Sequence, residues 1–564
     1  MDLDALLRQI WEARSDAHSL EGEHLDFKRQ QGSIRDTQHD IADAAICFAN
    51  ASGGTIVLGI SDRDRGPAGF LGSDLRTEEL RRKIFDVTEP SLDVSVSEKS
   101  FEDVRLVVVE VREGLDVHLR HGKTPTRRMQ DDCLPMRPAE ISRLHDERSG
   151  LDWSAQTAQS TMTNVVPDAM VQLRSLLRRQ NPDSDIADRT DGDICVALGL
   201  ATDKGALTRA GEILLVDSAR EVLVYQFRNR AGGDVSFGRR WTGPLLLAFL
   251  EVMTVIEARV GTTPVSLPSG QQLQIEDFPL TAIREAVANA VMHGDHRANR
   301  PVAIEHSVQF LEIRSPGPLV TGISPSNILT HPPKPRFPAL AEAMRSLGLA
   351  EKWGQGVDRM FREMIRTGRE LPRVVVNDGE EPETSVSFIG GPPNSRVARF
   401  VSSLPPADQD DTDVLLVISA LMTRRAVDAE MMGPIIQRDP DDAQRVLHGL
   451  ATSDAPLIEA TPRSIRRARP DYRLSGPSIA ALGSALAYQA RPRADRDRKV
   501  AEHVREYEWI NNGTIQRMFD LDVHAASDYL KDLVGRELLV RTSEQSRGTA
   551  VRYGAGPNFP SKRR

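Results

Sequence analysis

Glu21, Asp26 and Lys28 fall within the ten residues EGEHLDFKRQ (21–30), and acids and a lysine spaced this closely can do metal chemistry. Clustered carboxylates hold one or two divalent cations, which polarise a phosphate and activate water, while an ammonium beside them steadies developing negative charge. A second constellation lies in DFPLTAIREAVANAVMHGDH (277–296). Glu285 and Asn289, four apart, share a helix face, and His293 stands one turn further on. Asparagine is disfavoured inside helices, so Asn289 asks for a reason. Two glycine turns follow, IRSPGPL (313–319) and EKWGQGVDRM (351–360). Gly317 marks the first, and Gly354 and Gly356 stand where a helix start could offer backbone N–H groups to a phosphate.

These residues need elements to hold them. The alternation His24-Leu25-Asp26-Phe27-Lys28 has the period of a strand, with Leu25 and Phe27 on one face and His24, Asp26 and Lys28 on the other. Glu21 must reach that second face from a bend around Gly22. DTQHDIADAAICFANASGG (36–54) reads as an amphipathic helix with Ile41, Ala45 and Phe48 inward and Gly53-Gly54 as its stop. TIVLGISDRD (55–64) reads as a buried strand. Strand–helix–strand brings two strand ends together, so Asp62 is expected near Asp26, with Asp64 the alternative third acid. Upstream, Leu3, Leu6, Leu7, Ile10 and Trp11 form one face of a first helix.

At 564 residues the chain is too long for one core. Its hydrophobic content of 40% and charged content of 27% are those of soluble protein, with no run long enough to cross a bilayer and no signal peptide. Three scattered cysteines without a C-x-x-C pair argue against a disulfide framework or a cysteine zinc site and suit a reducing cytoplasm. A net charge of −9 excludes a uniformly basic coat, though not local basic surfaces.

EGEHLDFKRQ followed by IADAAICFANASGGTIVLGISDRDRG closely resembles the Schlafen-type AlbA domain: Glu, an acid five residues on, x-Lys, a helix, FAN-x-x-GG, an apolar strand and an acidic turn. The likeness spans about 10–150, through VRLVVVEVREG and RRMQDDCLPMRPAEISRL, which looks like that family's arginine-bearing closing segment. In nuclease members three carboxylates form a metal-dependent RNA-cutting pocket. The resemblance puts them, as Mn²⁺ or Mg²⁺ ligands, at Glu21, Asp26 and Asp62 (or Asp64), with Lys28 beside them. The ordered set E-x-x-x-N, P-G-x-L and G-x-G resembles the GHKL-type ATPase fold in the variant found at the end of RecG-like proteins, over about 190–390. It implies ATP as ligand, Asn289 on Mg²⁺, Glu285 as general base, and His293, Gly317, Gly354 and Gly356 around the nucleotide. Ser315-Pro316 stands where ATP-hydrolysing relatives carry an acid, so binding without turnover is expected. No Walker A sequence or helicase motor is present.

Beyond the linker PPADQDD (405–411), two similar units read as winged helices. In the second, Ala526, Leu530 and Leu533 are expected inside and His524, Ser527, Asp528 and Lys531 outside, with Arg541, Arg547 and Arg552 on the wing for phosphate contact. The expected organisation is multidomain α+β. It comprises an AlbA-like α/β domain (1–150), a helical linker (151–204), a GHKL-like α/β sandwich (205–395), a linker (396–411) and winged helices at 412–480 and 490–560. Two functions fit. One is a metal-dependent endonuclease of RNA, tRNA above all, acting as a homodimer or higher oligomer, with phage defence as its setting. The other is an ATP-binding, DNA-binding transcriptional regulator that breaks no bond.

Overall fold

The computed structural model describes residues 3–30, 32–230, 232–266, 272–351, 354–379, 381–486, 493–519, 523–543, 545 and 551–560. The first helix, α1 (Leu3–Trp11), lays Leu7 and Ile10 into a small core with Leu25, Phe27, Val57 and Leu106. Strand β1 (Leu25–Lys28) and strand β2 (Gly54–Leu58) pair in parallel, Asp26 opposite Ile56, across helix α2 (Ile34–Ala49). Ser33 caps α2 by accepting from the Asp36 amide, and Ile41, Ala45 and Phe48 are buried as their spacing requires. Val104–Val111 and Ser95–Phe101 complete a four-stranded sheet beyond β2.

Both faces of this sheet are covered, which changes one expectation. Asp26 lies on the face opposite Leu25 and Phe27 but is only 1% exposed. A short hairpin, Thr126–Met129 with Asp132–Pro135, closes over that face. It is tied to α2 by a disulfide between Cys47 and Cys133, Cα–Cα 5.8 Å, so the expectation that cysteine spacing argues against disulfide bonding is corrected for this pair. Separation in sequence says little about distance once strand–helix–strand folding brings residues 86 apart into contact.

A connector helix, Pro138–Ser149, leads to the middle unit. There a six-stranded mixed sheet carries Leu245–Glu257, Leu280–His293, Pro338–Ser346 and Gly356–Arg366. Tyr225, Ile304 and Ile313 point into the helices and are buried, and so are Ile283, Val287 and Val291 from the helix side. The stretch expected as a linker, 151–204, is part of this unit. Leu173, Leu177, Ile194 and Leu200 share its core, and Thr157–Thr161 pairs with Ala206–Thr208. The second expected linker is helical too, with Val397, Phe400 and Val401 buried.

Two units of like order follow: three helices and a two-stranded hairpin over 412–474, then again over 493–555. Each adds a bridge from the loop after its first helix to the hairpin, Val427–Tyr472 and Ile510–Tyr553. The first unit shares the middle core through Leu415, Leu416 and Ile418, whereas the second has a core of its own.

Candidate functional site

The chain bends at Gly22, whose amide donates to the Leu25 carbonyl (3.1 Å), and this turns Glu21 back over β1. One Glu21 carboxylate oxygen accepts the Phe27 amide at 3.1 Å and the other faces His18 Nδ1 at 3.0 Å. With a side chain 7% exposed, burial pushes the Glu21 carboxyl above the usual range, His18 and the Phe27 amide oppose this, and the Asp26 charge adds to it. Asp26 Oδ1 takes a hydrogen bond from Lys28 Nζ at 2.8 Å, and Arg128 Nη2 stands 3.7 Å away. Asp26 Oδ2 is buried with no partner. Glu21, Asp26 and Lys28 therefore do meet.

Asp62 arrives by its backbone, its carbonyl accepting the His18 amide at 3.0 Å, and its side chain is half-buried. Asp64 turns away and accepts the Ser61 hydroxyl at 2.7 Å. Among the described residues no three acid, histidine or cysteine side chains gather closely enough to hold a metal ion. In donor type the Glu21–Asp26 pair fits a hard divalent cation, and the orphaned Oδ2 is an oxygen such an ion would take.

Arg128 escaped the sequence reading. Its side chain, 3% exposed, donates to the carbonyls of Gly22 (3.1 Å) and Leu25 (3.2 Å) and lies over the Phe48 ring. It thus pins the bend that presents Glu21. The only signal was an arginine in the closing segment, with nothing to say which way it turned.

The middle unit holds a cavity of ≈150 Å³ lined by Asn289, His293, Ile313, Ser315, Val320, Lys334, Arg336, Gly354, Gly356 and Met360, among others. Four of the six nucleotide-site residues named from sequence, Asn289, His293, Gly354 and Gly356, line it, while Glu285 and Gly317 stand outside its walls. Glu285 Oε1 is bound to Arg359 at 2.7 Å, while burial raises its carboxyl and Arg359 opposes that. Gly356 packs so closely on Glu285 that a Cβ there would sit 2.8 Å from Oε2. Gly354 (φ +76°) lies on Pro333, and Gly317 (φ +92°) on Asp295. In this conformation the glycines serve close protein contacts. Burial and the guanidinium groups of Arg336 and Arg345 press His293 down to about 4, leaving it neutral. Ser315 donates weakly to the Thr384 carbonyl (3.4 Å).

Residues 21–137 match the family model described as "Schlafen, AlbA_2". Residues 299–384 match the model described as "Putative ATP-dependent DNA helicase recG C-terminal", so the chain joins the two. A crystal structure of the DIP2311 protein from Corynebacterium diphtheriae superposes with TM-score 0.52 at 24% identity, over 85% of this chain and 98% of that one, which speaks to fold alone. No curated protein matches. An AlbA_2 domain implies nucleic-acid binding, and the second match supports ATP binding. No helix among the described residues is long and apolar enough to cross a membrane.

Near the other end of the sequence, the last unit buries Ala526, Leu530 and Leu533 and exposes His524, Asp528 and Lys531, with Ser527 half-buried. Lys531 pairs with Asp528 at 3.0 Å. Arg541 is exposed on the hairpin, and Arg552 lies over the Trp509 ring, 4.2 Å from its centre. Arg547 lies outside the described residues.

Proposed function

We propose that this protein binds nucleic acid and cuts RNA, structured RNA such as tRNA, at the Glu21–Asp26 site with Mn²⁺ or Mg²⁺, as a homodimer serving phage defence. The observation that carries this reading is Asp26: a buried carboxylate with one oxygen unpartnered, beside a second buried carboxylate. A surface that only bound phosphate would gain nothing from burying two acids there. The cation would supply Lewis-acid polarisation of the phosphate and a water of lowered pKa. Glu21 and Asp26 would hold it, and Asp62, whose side chain does not gather with theirs in this conformation, would have to swing in from the adjoining turn to serve as a third ligand. Lys28, 39% exposed, reaches solvent from the same strand and meets the phosphate. Arg128 holds the bend. The two C-terminal units act as winged helices, with Lys531, Arg541 and Arg552 against the backbone of the nucleic acid. The middle cavity takes ATP without hydrolysing it, since Glu285 is held by Arg359.

The test is incubation of a tRNA mixture with the purified protein in Mn²⁺, Mg²⁺ or EDTA, beside a Glu21→Ala/Asp26→Ala variant. Metal-dependent cutting that the variant loses is the expected result. The exposed basic hairpin of the last unit favours a second reading, a DNA-binding regulator that breaks no bond. Intact RNA and DNA in every lane, with or without ATP, would overturn the nuclease reading in favour of this one.

A further inference from the structure

A buried polar chain joins the middle cavity to the carboxylate pair. Arg336 lines the cavity, its side chain only 1% exposed. Its guanidinium donates to the carbonyls of His293 (3.1 Å) and Pro318 (2.6 Å) and pairs with Glu147 of the connector helix at 2.6 Å. The other Glu147 oxygen accepts the Thr321 hydroxyl (2.9 Å) and amide (3.3 Å). One carboxylate thereby grips the 317–336 loop at two points. The next residue, Arg148, is also buried, and it donates to the carbonyls of Ala49 (2.8 Å) and Ala51 (3.0 Å) at the end of α2. Between those two, Asn50 donates to the carbonyls of His118 (2.7 Å) and Thr126 (2.9 Å) and accepts the His118 amide. Thr126 opens the strand that carries Arg128, and Arg128 ends at the Gly22 and Leu25 carbonyls and Asp26.

We propose that occupancy of the middle cavity is transmitted to the carboxylate site along this path: Arg336, Glu147, Arg148, the end of α2, the Thr126–Met129 strand and Arg128. The inference rests on the reading that the cavity takes a nucleotide. A ligand that moves the 317–336 loop must carry Glu147 with it or break a buried ion pair, and both demand a response from the connector helix. Arg148, on the same turn of that helix, passes the response to α2. Close-packed elements respond by switching between arrangements rather than by yielding, and the ligand shifts their balance by its differential affinity. A passive clamp between domains would share the contacts but not the response.

The experiment is amide hydrogen exchange on the full chain with and without ATP and Mg²⁺, with calorimetry to record binding. Exchange should slow about tenfold in the 317–336 loop and also at residues 47–52 and 126–135. Arg148→Met, which cuts the path without touching the cavity, should keep the first protection and lose the second. Glu147→Gln should lose it also, and should that variant fail to fold, Arg148→Met still decides. ATP that binds and protects only the loop overturns the relay and leaves the nucleotide reading intact. N-terminal protection that survives in Arg148→Met overturns this path. ATP that does not bind overturns both.

Discussion

The most consequential single residue is Asp26, and its setting shows how far a two-residue period can be read. Alternation placed it correctly opposite Leu25 and Phe27, but could not say that a hairpin more than a hundred residues on would cover that face. Glu21 is next, a carboxylate with little exposed surface and one histidine partner. Burying an acid costs free energy that an amide of the same shape avoids. Glu21→Gln is therefore expected to raise the melting temperature by about 2–4 °C while abolishing cleavage, a trade that a thermal scan and the tRNA assay together would register. His306 gives the second residue-scale test. It is 1% exposed, held by the Tyr225 hydroxyl at 2.8 Å, and burial lowers it to about 4. Below pH 6.5 the unfolded chain protonates this ring while the folded chain does not until about pH 4. Stability falls as pH drops across that window, by on the order of 3 kcal/mol in all. Urea midpoints at pH 7, 5.5 and 4.5 would follow it, and His306→Gln should flatten the slope.

At the scale of elements, periodicity did well where one face is buried. Ile41, Ala45 and Phe48 in α2, and Ile283, Val287 and Val291 in the Leu280–His293 helix, lie in the core as their spacing demanded. It did poorly where an element's role depends on partners distant in the chain. Residues 151–204 read as a linker because no motif marks them, yet their leucines complete the middle core. Gly354 and Gly356 have the spacing of a phosphate turn, and they line the cavity while packing against Pro333 and Glu285. The Cys47–Cys133 bond was invisible for the same reason of distance. Closing 86 residues, it should contribute about 4 kcal/mol by restricting the unfolded chain. Reduction, or Cys133→Ser, should lower the melting temperature accordingly, and it should loosen the strand that carries Arg128.

Over the whole molecule, an overall negative charge coexists with exposed cations at the far end of the chain. Each phosphate contact releases counterions, so removing one alters salt dependence more tellingly than affinity at a single salt. Arg541→Ala and Arg552→Ala should each reduce the slope of log K against log salt by about 1 for any nucleic acid the last unit binds. Fluorescence anisotropy over a salt series would read this, and an unchanged slope would place the phosphate contacts elsewhere.

Gln437 ends the Ala429–Ile436 helix in a left-handed turn, its side chain accepting the Leu329 amide at 2.7 Å and donating to the Pro325 carbonyl at 2.8 Å. The roof of the cavity is thus fastened from two sides, by Glu147 ahead of it in the chain and by Gln437 beyond it. A middle unit excised at its sequence-drawn borders would keep every cavity residue and lose both fastenings. Its affinity for ligand would then describe an unlatched lid, and only the intact chain can report what closing that lid costs.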